Sequence, residues 1–290
     1  MGRRGESRPD LRARSSRRRL RVHGRSSAAR GGGPREHVLT WFPRRAPPAP
    51  RKPLRDELLS AERLEERALA LAAILTVDPN PRHRPRDTYP RFEDNVRVLR
   101  GAYRTLADDV RSGVFVAPAA DWLLDNFHLI AAEIGGIRRN LPRAYSRTLP
   151  ALASREHGGE ARIYAIAVEL VRHSDSRLDR QQLAQFLNSY QRVAPLTIGE
   201  LWAWPSMLKL ALIENLRRLA EELLAGRAAR RQADDYVSGA DEATGVGPLP
   251  ADTEPAFTVQ LLHRIREYGL RLASLRAAVD DDLSARQTTA

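Results

Sequence analysis

Three acid–amide pairs interrupt apolar stretches of this chain: Asp94-Asn95, Asp125-Asn126 and Glu214-Asn215. A carboxylate among apolar neighbours is costly unless something compensates it, so such positions mark either proton chemistry or a polar network. His128 follows the second pair. On a helix it shares a face with Asp125, three residues earlier. A histidine oriented by a carboxylate is a minimal general base. The companions such a base needs are missing: there is no nearby nucleophile, no Gly-rich phosphate loop and no second histidine at ligand spacing. His128 and His173 are too isolated to hold a metal. The preferred reading is a buried polar network of Asp94, Asn95, Asp125, Asn126, His128, Glu214 and Asn215 that fixes helix register. No catalytic, cofactor-binding or metal-binding residue is assigned, and no cofactor is expected in this chain.

Trp122, Trp202 and Trp204 have the chemistry to stack on sugar rings. At helical spacing, aromatic residues are more often core, and that is the reading adopted here. Asp175, Ser176 and Arg177, in HSDSRLD, read as an N-cap cluster for the helix that follows. Arg217 and Arg218, next to Glu214-Asn215, read as structural arginines whose stems pack while their heads reach carboxylates.

The element that must position these groups is Pro195–Ala225, the longest apolar-periodic run. Thr197 and Glu200 have capping-box spacing and form its expected helix cap. Gly226 is its expected stop. Apolar residues on two faces predict burial on two sides, and Pro205 predicts a kink. Lys209 and Glu214 break the run before it reaches the ~18 uncharged residues of a membrane span.

The chain has 290 residues, 42% of them hydrophobic, and no cysteine, which excludes disulfides and thiolate chemistry. Its net charge of +12 is unevenly spread. Residues 1–55 hold 17 Arg and Lys against 3 Asp and Glu, a net of +14, so the remainder is close to neutral at −2. Residues 1–53 read as a disordered basic leader. An Arg arm of this kind suits nucleic acid or anionic lipid. No aromatic residues interleave Arg3 to Arg30, however, and a solvated low-complexity leader is the preferred reading.

Helices are expected over 54–77, 92–110, 119–139, 163–171, 178–193 and 257–283, with a short one in 145–152. Nothing shows sustained period-2 alternation. The fold class is all-α: an irregular multi-helix bundle around a long central helix at about 197–225. Residues 54–226 form the bundle, 227–254 a flexible loop, and 255–285 a C-terminal helix.

Five strings, in order, resemble the N-terminal region of cyclic β-1,2-glucan synthases. They are RFEDNVRVLRGAYR (91–104), AADWLLDNFHLIAAEIGGIRRNLPRAY (119–145), HSDSRLD (173–179), YQRVAPLTIGELWAWPSMLKLALIENLRRLA (190–220) and AFTVQLLHRIRE (256–267). These synthases are large bacterial inner-membrane enzymes with a UDP-glucose transferase domain and a glycoside-phosphorylase-like part. The resemblance covers roughly residues 60–285. It implies a non-catalytic module truncated before the membrane and catalytic domains. Its partners would be those remaining domains, at the cytoplasmic face of the inner membrane. None of the family's transferase or phosphorylase motifs maps onto this sequence. Exposed apolar faces would favour self-association. The alternative is a free-standing helical binding protein that uses the Arg-rich arm on nucleic acid or anionic membrane. A weaker third reading is a small hydrolase built on His128 and Asp125.

Overall fold

The structure, a computed structural model, describes residues 52–80, 82–153, 159–238 and 255–268, with 277, 279–281 and 284. The Arg-rich residues 1–51 and the stretch 239–254 lie outside the described residues. The fold is all-α. Helices α1 (Ala61–Ile74), α2 (Tyr89–Arg111), α3 (Pro118–Asp125), α4 (Phe127–Asn140), α5 (Arg143–Ser146), α6 (Arg162–His173) and α7 (Arg180–Gln191) precede the long α8 (Ile198–Ser238) and α9 (Pro255–Tyr268). Helices α2, α4, α6 and α9 pack on α8, while α1 packs on α7. Two isolated antiparallel bridges, Val77 with Leu152 and Ala151 with Ala161, tie the chain after α1 to the chain before α6.

Helix α6 is the most deeply packed. Ile163, Ile166, Ala167, Leu170 and Val171 are inaccessible to solvent, and Tyr164 is nearly so. Its sequence IYAIAV is apolar all round, as befits a helix covered on several sides. The main core joins it to Leu64, Ala68, Phe92, Leu99, Ile134, Tyr190, Met207 and Ala211. A second apolar cluster joins Ala229, Ala233 and Val237 of α8 to Phe257, Leu261 and Ile265 of α9, and to Val279.

Several boundaries differ from the sequence expectation, each for a local reason. Helix α1 begins at Ala61 rather than Leu54, because the Ser60 hydroxyl accepts from the Arg63 N–H and caps it there. Leu54 is buried but lies outside the helix, and its N–H donates to the Asn215 side chain at 2.6 Å. The expected helix over 119–139 is two helices, broken at Asn126. The Asn126 amide donates to the Trp122 carbonyl at 2.8 Å and so satisfies the last turn of α3. Asp179, not Asp175 or Ser176, caps α7 by accepting from the Gln182 N–H at 2.8 Å. Asp175 and Ser176 instead make a left-handed turn, with φ of 49° and 60°.

The central helix does not stop at Gly226. It runs 41 residues, about 60 Å at ~1.5 Å per residue. It is helical across Pro205 as well. Residues 227–238, expected as part of a flexible loop, are its last three turns. Two features carry the helix past Gly226. Ala229, Ala233 and Val237 recur every four residues and pack on α9. Arg227, the residue after the glycine, is held by the buried Asp109 of α2.

Candidate functional site

The charged interior is built along α8. Glu214 is almost wholly buried, and both of its carboxylate oxygens are occupied. Oε1 accepts from the Arg91 guanidinium of α2 and from Arg218 one turn further along α8. Oε2 accepts from the Tyr164 hydroxyl of α6 at 2.6 Å. Arg91 also donates to Glu160 at 3.1 Å, and its guanidinium lies 5.6 Å from the centre of the Tyr164 ring. Burial pushes the Glu214 carboxyl up, but hydrogen bonds from Arg91, Tyr164 and Arg218 outweigh it and hold the group below the ordinary carboxylate range. Burial raises the Tyr164 phenol well above its usual value, and the adjacent Glu214 charge adds to that.

Glu200, one end of the capping box, is fully buried. Its Oε2 accepts from the Thr197 N–H at 2.9 Å and the Thr197 hydroxyl at 3.0 Å, while the Glu200 N–H donates to the Thr197 hydroxyl at 3.2 Å. The expected cap is therefore present, with an addition. Arg162 of α6 grips the same carboxylate in a two-pronged pair at 2.8 and 2.6 Å, and it also donates to the Pro195 carbonyl at 3.1 Å. A local capping device thus doubles as the lock between α6 and α8. Beside it, burial pushes the Tyr190 phenol up to about 12.

Asn215 works differently. Its side-chain oxygen accepts from the Leu54 N–H and its nitrogen donates to the Ser176 hydroxyl at 3.1 Å. One amide thereby holds both the segment entering α1 and the left-handed turn after α6. Arg218 adds a bond to the Lys52 carbonyl at 3.0 Å. Two further buried carboxylates serve other seams. Glu169 of α6 takes Arg67 of α1, Arg172 and His173. Asp109 of α2 takes Arg227 and Arg231 of α8. The Arg227 hydrogen bond is foremost in holding Asp109 below the ordinary carboxylate value.

The seven network residues expected from sequence do not form one network. Glu214 and Asn215 are at its centre. Asn95 is buried, but its side-chain nitrogen has no partner among the described residues. Asp94 is half exposed and pairs with Arg97, with Arg217 at 3.9 Å. Asp125 and His128 are exposed, and Asn126 is half-buried. The His128 ring approaches the Asp125 backbone carbonyl at 3.0 Å, not its carboxylate, so no acid–histidine dyad exists there. The cations that pair with the buried acids, Arg91 with Glu214, Arg162 with Glu200 and Arg227 with Asp109, carry little signal in a chain with 48 Arg and Lys. A single arginine opening the apolar run IYAIAV was the one available clue to Arg162.

The tryptophan expectation also needs correction. Trp204 is in the core, but Trp202 is 79% exposed and Trp122 56% exposed. Trp202 sits with Ile198 and Leu201 on one exposed face at the start of α8. Residues flanking a buried helix can be aromatic without being core, because a face left open to a partner has the same composition.

Among the described residues no group of three His, Asp or Glu could hold a metal ion, and no helix is long and apolar enough to cross a membrane. Glu214 and Glu200 are saturated by cations and hydrogen bonds.

No family model matches the chain. In an alignment of 208 positions that covers 68% of the chain, it is 34% identical to the cyclic beta-(1,2)-glucan synthase NdvB of Rhizobium meliloti (strain 1021). The resemblance read from the five strings is borne out. The chain spans 7% of the length of that relative.

Proposed function

We propose that this chain is a non-catalytic helical module of a cyclic β-1,2-glucan synthase, a scaffold on which the rest of such an enzyme docks. The observation that carries the reading is the 34% identity over 208 residues to one small part of a glucan synthase. The chemistry of the interior supports it, since each deeply buried carboxylate among the described residues joins one helix to another or closes a cap. The exposed Ile198, Leu201 and Trp202 at the start of α8 are the docking face. The module lies on the cytoplasmic side of the inner membrane, and cyclic β-1,2-glucan is the product of the assembled enzyme.

The test is made in a cyclic glucan synthase. Replacing its matching segment with this chain should retain glucan synthesis, and the same replacement carrying Trp202→Ala should lose most of it while the isolated variant melts as the parent does. Glucan synthesis that persists after outright removal of the segment would sink the scaffold role. Release of UDP from UDP-glucose by the isolated chain would sink the non-catalytic one.

A further inference from the structure

Away from the docking face, a cavity of about 630 Å³ opens between the turn after α2, the last turns of α8 and α9. Arg227, Arg230 and Arg231 line it from one face of α8, at i, i+3 and i+4, and His263 and Arg264 line it from α9. The opposing carboxylates are fewer than the cations. Asp109 is shared by Arg227 and Arg231. Arg264 takes Asp234 at 2.7 Å and Glu267 at 2.8 Å. His263 lies 3.7 Å from Glu267. Arg230 has no ion pair or hydrogen bond among the described residues. Among the described residues, four arginines against Asp109, Asp234 and Glu267 leave one uncompensated positive charge, and a protonated His263 makes two.

Phe115 stands at the mouth, 76% exposed, on the turn that begins at Gly113 with φ of 69°. A large aromatic held out in solvent beside a cluster of guanidiniums has a ring face free for a flat partner. A side chain at that φ would be strained, so Gly113 suits this turn.

We propose that this cavity binds a small phosphate ester that carries a planar ring, with Arg230 as the principal anion ligand, Arg231 and His263 as its neighbours, and Phe115 as the stacking platform. Guanidinium suits the role because its planar donors match phosphate oxygens in pairs. The volume fits a nucleotide-sized molecule. The proposal is independent of the scaffold reading, because it concerns the isolated chain and a different surface.

Titration calorimetry of the full chain in EDTA tests it, with inorganic pyrophosphate and ADP as probes. Both should bind saturably at one site, ADP more tightly. Arg230→Ala should weaken both about tenfold or more, as expected for a lost charge-assisted contact. Phe115→Ala should remove the advantage of ADP and leave pyrophosphate unchanged. Arg230→Lys, which keeps the charge, should fall between, and melting curves of all variants should match the parent. Absence of saturable binding overturns the proposal. So does affinity indifferent to Arg230, which would place the anion on the Arg-rich residues 1–51. An ADP preference that survives Phe115→Ala overturns the stacking role.

Discussion

The two halves of α8 solve the same problem by different means. From Glu200 to Asn215 the helix is enclosed by α2, α4 and α6, and it buries large side chains together with two carboxylates. Beyond Gly226 it buries one narrow stripe of Ala229, Ala233 and Val237 against α9 and takes its charge pairing from its own arginines to Asp109. In the first half the acids are on α8, and the cations that tie them to other helices come from α2 and α6. In the second half the polarity toward α2 is reversed, while Asp234 takes Arg264 of α9. The first half is therefore a hub whose loss disconnects several helices, and the second is a seam whose loss frees one.

Glu214→Ala is the severest way to test that difference. It strands Arg91, Arg218 and Tyr164 around a buried void. We expect a loss of about 3–5 kcal/mol in urea unfolding, with Glu200→Ala close behind because it strands Arg162. Asp109→Ala should cost about 2 kcal/mol, since Arg231 is half exposed and water can take over its pairing. Its effect should appear as faster proteolysis near α9 with the main core intact. Equal losses from Glu214→Ala and Asp109→Ala would erase the distinction between hub and seam.

Acid should act on both halves with the same sign. Glu214 and Asp109 have folded-state pKa values below their ordinary 4.5 and 3.8. The unfolded chain then binds more protons than the folded one as pH falls through this range. The stability they supply is complete above those ordinary values and is lost as pH falls through the lower folded ones. Urea midpoints measured from pH 7 downward should drop below about pH 4.5. Asp109→Asn should remove part of that slope, and an unaltered slope would show that the pair adds nothing.

The smallest effects lie at the joint and at the misplaced histidine. A Cβ at Gly226 would meet Arg230 Nη1 at 3.6 Å and Ala256 Cβ at 3.8 Å, which is ordinary contact. Gly226→Ala should therefore stabilise by about 0.5–1 kcal/mol, read as a rise in melting temperature. His128→Ala should change stability by less than about 0.5 kcal/mol. A larger loss would restore His128 to the interior.

These outcomes follow the line between what was legible in the sequence and what was not. The Thr197–Glu200 cap was legible because both partners sit within one turn. Glu214 and Asn215 were legible as interior residues because the turn before them, Leu210 to Ile213, is wholly apolar. Asp125 and His128 were not, since three-residue spacing says that two residues share a face but not which way it points. The break at Asn126 further separates the helix carrying Asp125 from the one carrying His128. Gly226 misled for a related reason. A glycine is a weak stop, and whether a helix continues depends on partners such as Asp109 and Phe257 that lie far along the chain. The cavity at Phe115 was invisible because its lining comes from three separate elements.

The Asn215 clasp has a consequence for how the chain acquires its shape. The bond from the Leu54 N–H spans 161 residues, that from Arg218 to Lys52 spans 166, and Arg91 meets Glu214 across 123. During synthesis, then, Leu54, Arg91 and Tyr164 all leave the ribosome before the residue that completes each of them. Arg67 of α1 can already meet Glu169 of α6, but Arg162 lacks its acid, and Arg91 the deeper of its two, until α8 arrives. Such long-range closure makes for slow folding. The arrival of α8, rather than of any earlier helix, determines when these helices close into one core.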